Sequence, residues 1–201
     1  AQEDRVTDLF RLQRLEQVAD IPQNRTFAQS NLMKAYFQEK NYSEVLSYAS
    51  RVLQNPGLDD RIRSDAQLMI ARSAWETGDM AMAQSAYAEV LETASGAAAA
   101  EAMYHKAYFE QQDGDFEVSN TTIQELVKEY AAYREWGGKG LILLAQNFDQ
   151  LEDAFQATYI LENVLSSFGD YPEIVATAEV ELSRIKTREA ERNASVNPQN
   201  N

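Results

Sequence analysis

The sequence predicts an all-α protein, an α-α superhelix of about four helical hairpins with one helix ahead of them and a capping helix after them. Three observations carry this. First, in four places an apolar or small residue is followed four, seven and eight positions later by three more: Val45, Ala49, Val52, Leu53; Ala83, Tyr87, Val90, Leu91; Ser119, Ile123, Leu126, Val127; and Ala157, Leu161, Val164, Leu165. Such offsets mark one face of an α-helix. Second, the last members of these sets lie 38, 36 and 38 residues apart, a near-constant period. Third, a turn precedes each set, at 40–43, at Gly78 with Asp79, at Gly114 with Asp115, and at 151–153. Glycine accepts the left-handed conformation that ends a helix, and aspartate accepts hydrogen bonds from the free N–H groups that open the next.

Taken in chain order, residues 1–20 read as the helix left from a preceding repeat, with Val6, Leu9, Phe10, Leu12 and Leu15 at helical spacing, so the chain is expected to be a piece of a longer array. Four repeats follow at about 24–58, 59–95, 96–133 and 134–171, with first helices expected at 26–39, 60–77, 96–113 and 134–150. Pro56 stops the second helix of the first repeat. Residues 172–192 are expected to form the capping helix on Ile174, Val175, Ala178, Leu182 and Ile185, and 193–201, with nothing to bury, a disordered tail. Two stretches break the pattern. Lys106 and Glu110 stand where a first helix places core residues, and three glycines in 136–140 sit inside an expected helix, at about 1 kcal/mol each relative to alanine. A frayed first turn or unusually close helix packing would account for the glycines.

Charge and composition exclude several function classes. With 32 acidic against 18 basic residues and a net charge of −14, the chain repels phosphate backbones, so no nucleic-acid partner is expected. Cysteine is absent and His105 is the single histidine, which removes thiolate chemistry and the usual histidine-rich metal and triad arrangements; no metal and no cofactor are expected. The acid pairs Asp59 with Asp60 and Asp113 with Asp115 fall at helix ends, where the dipole explains them. The run 137–140 lacks the strand and the spacing of a phosphate loop. No apolar run approaches the roughly 20 residues of a membrane span.

The residues resemble the tetratricopeptide repeat (TPR) family over about 24–168. The clearest match is Ala71, Ala74, Gly78, Ala83, Tyr87, Val90 and Leu91. The first repeat supplies Met33, Tyr36, Val45, Val52 and Leu53, and the fourth Leu144, Ala145, Phe148, Ala157, Leu161 and Leu165. A closer likeness is to the C-terminal region of large multi-repeat TPR proteins of the Gram-negative cell envelope, carried by the stretches LEQVADIPQNR, EAMYHKA, LILLAQNF and AFQATYILENVLSSF. The resemblance implies an interaction scaffold without catalytic residues, in the periplasm or cell envelope, with the cytoplasm as the open alternative.

In TPR hairpins the first helices line the groove. Spacings of three, four and three place Phe27, Ser30, Lys34, Phe37; Asp65, Leu68, Arg72, Trp75; Glu101, Tyr104, Tyr108, Gln111; and Lys139, Ile142, Gln146, Asp149 there. From these the expected partner-binding residues are Lys34, Phe37, Arg72, Trp75, Tyr104, Tyr108 and Gln146, because aromatic and cationic anchors carry much of an interface's energy. Lys34 and Arg72, at equivalent positions, are candidates to receive a partner's carboxylate. Taken singly, each aromatic reads as packing between repeats and each cation as a balance for nearby acids. The expected function is a non-enzymatic scaffold holding a protein or peptide; the alternative is a glycan-binding or glycan-recruiting envelope module.

Overall fold

The computed structural model describes residues 2–196; Ala1, the stretch 197–201 and the side chains of 2–7, Val6 among them, and of Val196 lie outside the described residues. The chain is all-α. Among the described residues the elements are α1 (Gln2–Val18), α2 (Pro22–Gln38), α3 (Tyr42–Leu53), α4 (Asp60–Thr77), α5 (Met80–Thr93), α6 (Gly96–Gln112), α7 (Phe116–Glu129), α8 (Arg134–Gln150), α9 (Ala154–Ser167) and α10 (Pro172–Val196), with no strand. The α4 and α8 bounds are those the sequence predicts. α10 begins 38 residues after α8, in the register of another first helix, and runs four residues into the stretch expected to be disordered.

Four first helices end the same way, and the backbone shows the repeat independently of the apolar pattern. The N–H groups of Asn41, Asp79, Asp115 and Asp153 donate to the carbonyls of Tyr36, Ala74, Glu110 and Phe148 at 2.9, 2.9, 2.9 and 2.8 Å. One residue earlier, Lys40, Gly78, Gly114 and Glu152 donate to the carbonyls three positions back. Together these bonds make the Schellman helix end, which requires a left-handed residue. Glycine fills that position at Gly78 (φ 78°) and Gly114 (φ 86°), whereas Lys40 (φ 57°) and Glu152 (φ 60°) occupy it with a side chain. The residue that closes one helix then opens the next. Asn41, Asp79 and Asp153 accept from the N–H groups of Glu44, Met82 and Gln156 at 3.4, 3.1 and 3.0 Å. Asp115 makes no such bond from its side chain.

Where one domain is expected, the chain divides into two compact units, 1–98 and 99–201, with the boundary in the alanine-rich first turn of α6. In the first unit α2/α3 and α4/α5 form antiparallel hairpins, α1 packs on α2, and α3 on α4. Its core gathers Leu32, Met33, Val45, Tyr48, Ala49, Val52 and Ala66, so residues of the first apolar set interlock with both first helices. Each large side chain so buried contributes about 1.5–3 kcal/mol.

In the second unit α8 packs on α7 and forms a hairpin with α9, and α10 closes against both α8 and α9. One cluster joins Ala107, Ile123, Leu143 and Leu144; a second joins Ile142, Ala145, Ala157, Leu161, Val164, Phe168, Ile174, Ala178 and Ile185. Between α6, α7 and α8 lies a satisfied polar network. The fully buried Asn147 donates to Ser119 Oγ (2.8 Å) and Asn120 Oδ1 (2.9 Å) and accepts from Gln111 Nε2 (2.7 Å), while Ser119 donates to the Ala107 carbonyl (2.8 Å). Such a network fixes register, because a shifted helix would strand its amides without water.

The glycines inside α8 are now accounted for in part. A Cβ on Gly138 would lie 2.7 Å from the Phe168 ring and 2.8 Å from Ile174, and one on Gly140 would lie 3.1 Å from Leu126. Close packing on two sides of α8 means that a side chain at Gly138 would force Phe168 and Ile174 to shift, and one at Gly140 would be crowded. Gly137 faces open space. At the other irregularity, Lys106 turns to solvent and lies 3.7 Å from the half-buried Glu110, while Ala99, Ala102, His105, Ala107 and Phe109 are buried, so α6 keeps its core face without Lys106.

Candidate partner-binding groove

The expected groove residues fall in both units. In the first, Lys34 Nζ lies 2.8 Å from Asp65 Oδ2, tying α2 to α4 with both side chains about half exposed. This cation of the expected carboxylate-receiving pair therefore balances an acid on the neighbouring first helix. Phe37 packs on the core and meets the Tyr42 ring edge-on at 5.8 Å. Arg72 and Trp75 are half-buried and engaged in contacts of their own. Phe27 remains largely exposed.

In the second unit Tyr104, Lys139, Ile142 and Gln146 line one open groove of about 570 Å³, whereas Tyr108 packs into the Ala107–Ile123 cluster. Tyr104 comes from α6 and the next three from successive turns of α8, in the order the spacing predicts. The opposite wall is the start of α10, with Asp170, Tyr171, Pro172, Glu173, Ile174 and Thr177. Spacing within the first helices missed these residues, since Asp170 and Tyr171 precede α10. One signal was available: Thr177 follows Lys139 by 38 residues, one further period.

Aromatic rings back the Tyr104 side of the floor. Tyr104 packs against Trp136 with ring centroids 5.5 Å apart and edge-on to His105 at 5.1 Å. Burial, and then the neighbouring Tyr108, push the Tyr104 phenol above its ordinary pKa, so it stays a neutral hydroxyl. Lys139 is held in place: its ammonium meets Glu135 Oε1 at 2.6 Å and sits 4.4 Å from the centre of the Trp136 ring. Behind the opposite wall Arg134 lies 5.2 Å over the Phe168 ring and donates to the Ser167 carbonyl at 2.6 Å, anchoring the turn into α10.

Further along, Gln146 donates to Glu181 Oε1 at 3.0 Å, and Asp149, its carboxylate sealed from solvent, accepts from Arg184 (2.8 Å) and Arg188 (2.9 Å). Burial by itself would raise the Asp149 pKa, but the hydrogen bonds and charges of Arg188 and Arg184 together outweigh it and hold the group below its ordinary value. Asp149 thus fastens α10 to α8, and the position expected to face a partner is occupied from within the unit.

His105 is buried, its Nδ1 lying 2.9 Å from the Glu101 carbonyl one turn back. Among the described residues no three histidine, aspartate or glutamate side chains are placed to hold a metal ion, and no helix is long and apolar enough to cross a membrane. The fold and groove define the class: an all-α protein of consecutive helical hairpins with an open groove between first helices. No family model and no curated protein matches the chain.

Proposed function

We propose that this chain is a non-catalytic scaffold of the TPR type that holds a protein or peptide partner along the faces of its first helices, in the periplasm or cell envelope of a Gram-negative bacterium. The observation that carries the reading is the groove between α8 and the start of α10. It is open and floored by half-buried and buried apolar side chains, and four of its lining residues, Tyr104, Lys139, Ile142 and Gln146, are ones the TPR resemblance assigns to a groove. Grooves of this kind hold extended or helical segments by burying a few anchors. The location rests on the sequence resemblance alone.

Site-specific photo-crosslinking in cells tests both parts. A crosslinker at Thr177 is expected to trap one or a few discrete proteins from an envelope fraction, and one at the exposed Phe155 of α9 to trap none of them. Equal trapping from both positions would overturn the groove, and recovery of the full-length protein only in the cytoplasmic fraction would overturn the location.

A further inference from the structure

We infer that the occupant of the α8–α10 groove is a peptide segment in which a lysine or arginine stands beside an apolar residue; this rests on the groove reading above and assigns its chemistry. The walls carry three acids, Glu135, Asp170 and Glu173, against the single base Lys139. Lys139 is already spent on Glu135 at 2.6 Å. Among the described residues, neither Asp170 nor Glu173 has an ion-pair partner on its carboxylate, and both line the space above Ile142, Leu143 and Ile174. A cationic side chain entering there meets two uncompensated carboxylates while its apolar neighbour covers the floor. An anionic side chain would meet them without compensation, since the one lysine on the walls is engaged. Charge of opposite sign across an interface favours encounter and selects partners, and a chain of net charge −14 adds long-range attraction of the same sense.

Part of the acid at the start of α10 is explained by the helix itself, since negative charge is favoured at a helix N-terminus. What separates a binding wall from that role is the groove: the same two carboxylates border an open apolar floor, and of the bases on α8 that lie near it Lys139 is paired with Glu135 while Arg134 is held over the Phe168 and Tyr171 rings and on the Ser167 carbonyl.

Two labelled peptides of equal length are the probes, one alternating arginine with leucine and one alternating glutamate with leucine, titrated by fluorescence anisotropy. The arginine peptide is expected to bind, to lose about tenfold in affinity in the double variant Asp170→Lys, Glu173→Lys, and to lose less than about twofold when Glu117 and Glu125 on the exposed face of α7 are reversed in the same way. Both double variants change the net charge equally, so the contrast separates groove recognition from general attraction. The neutral pair Asp170→Asn, Glu173→Gln, with circular dichroism unchanged, gives an intermediate loss and guards against misfolding. Thr177→Trp, which fills the groove, is expected to abolish the binding. Equal losses from the groove and α7 variants overturn the inference. Binding of the glutamate peptide alone, blocked by Thr177→Trp, overturns the cationic assignment and leaves the groove reading standing. Failure of Thr177→Trp to weaken either peptide overturns both.

Discussion

In each unit a charge pair ties one first helix to the next, and the two pairs are built differently. Lys34 and Asp65 join α2 to α4 with 48% and 42% of their side chains exposed. Asp149 joins α8 to α10 with none of its carboxylate side chain exposed, under two arginines that are themselves half in solvent. An exposed pair is screened and gives up side-chain entropy, so its net worth lies between about 0 and 1 kcal/mol. A sealed carboxylate has no water to fall back on, and its loss removes charge-assisted bonds that nothing replaces. Two ties between successive first helices thus differ in kind, a surface contact in one unit and a structural bolt in the other, and burial decides which.

The largest expected effect follows from the bolt. Asp149→Ala should lower stability by about 2–3 kcal/mol, short of the full cost of a stranded buried charge because Arg184 and Arg188 can hydrate. Faster amide exchange should be confined to α10 and its contacts with α8; unchanged exchange there would place the fastening elsewhere. Linkage adds a pH signature. Because the folded Asp149 pKa is lowered, its contribution is full above the unfolded value of about 4 and is lost as pH falls through the folded value. Denaturant titrations of the wild type should therefore lose more stability between about pH 5 and 2 than those of Asp149→Asn.

Next in size are the glycines of α8, which sharpen the comparison by holding chemistry constant and varying only space. Gly138→Ala should cost about 1–3 kcal/mol, because Phe168 and Ile174 have to move. Gly137→Ala, one residue away with nothing in reach, should stabilise by up to about 1 kcal/mol through helix propensity. Thermal unfolding of both variants checks the opposite signs. The smallest effect belongs to the surface pair: Lys34→Ala should shift stability by less than about 1 kcal/mol, and less still in high salt. A cost equal to that of Asp149→Ala would break the distinction drawn from exposure.

Much of the molecule was legible from residue order. The bounds of α4 and α8, the glycine turns at Gly78 and Gly114 and the aspartate caps at Asp79 and Asp153 follow from local rules about φ and free N–H groups. Other features were not legible. Lys40 and Glu152 carry no mark of a left-handed position, and adopt it because the Schellman bonds around them require one. The spacing placed Tyr104 and Gln146 on a common groove, yet gave no sign that Asp149 would be sealed by arginines 35 and 39 residues downstream.

The order of residues by itself determined the helices, their period and their turns, because those depend on contacts within a few positions along the chain. Tertiary structure decided what each outward position became: a screened pair at Lys34, a buried bolt at Asp149, a packed wall at Gly138 and an open acid-lined groove beside Thr177. Burial and the distance to a neighbour on another helix set those outcomes, and a periodic pattern specifies a face without specifying what comes to lie against it.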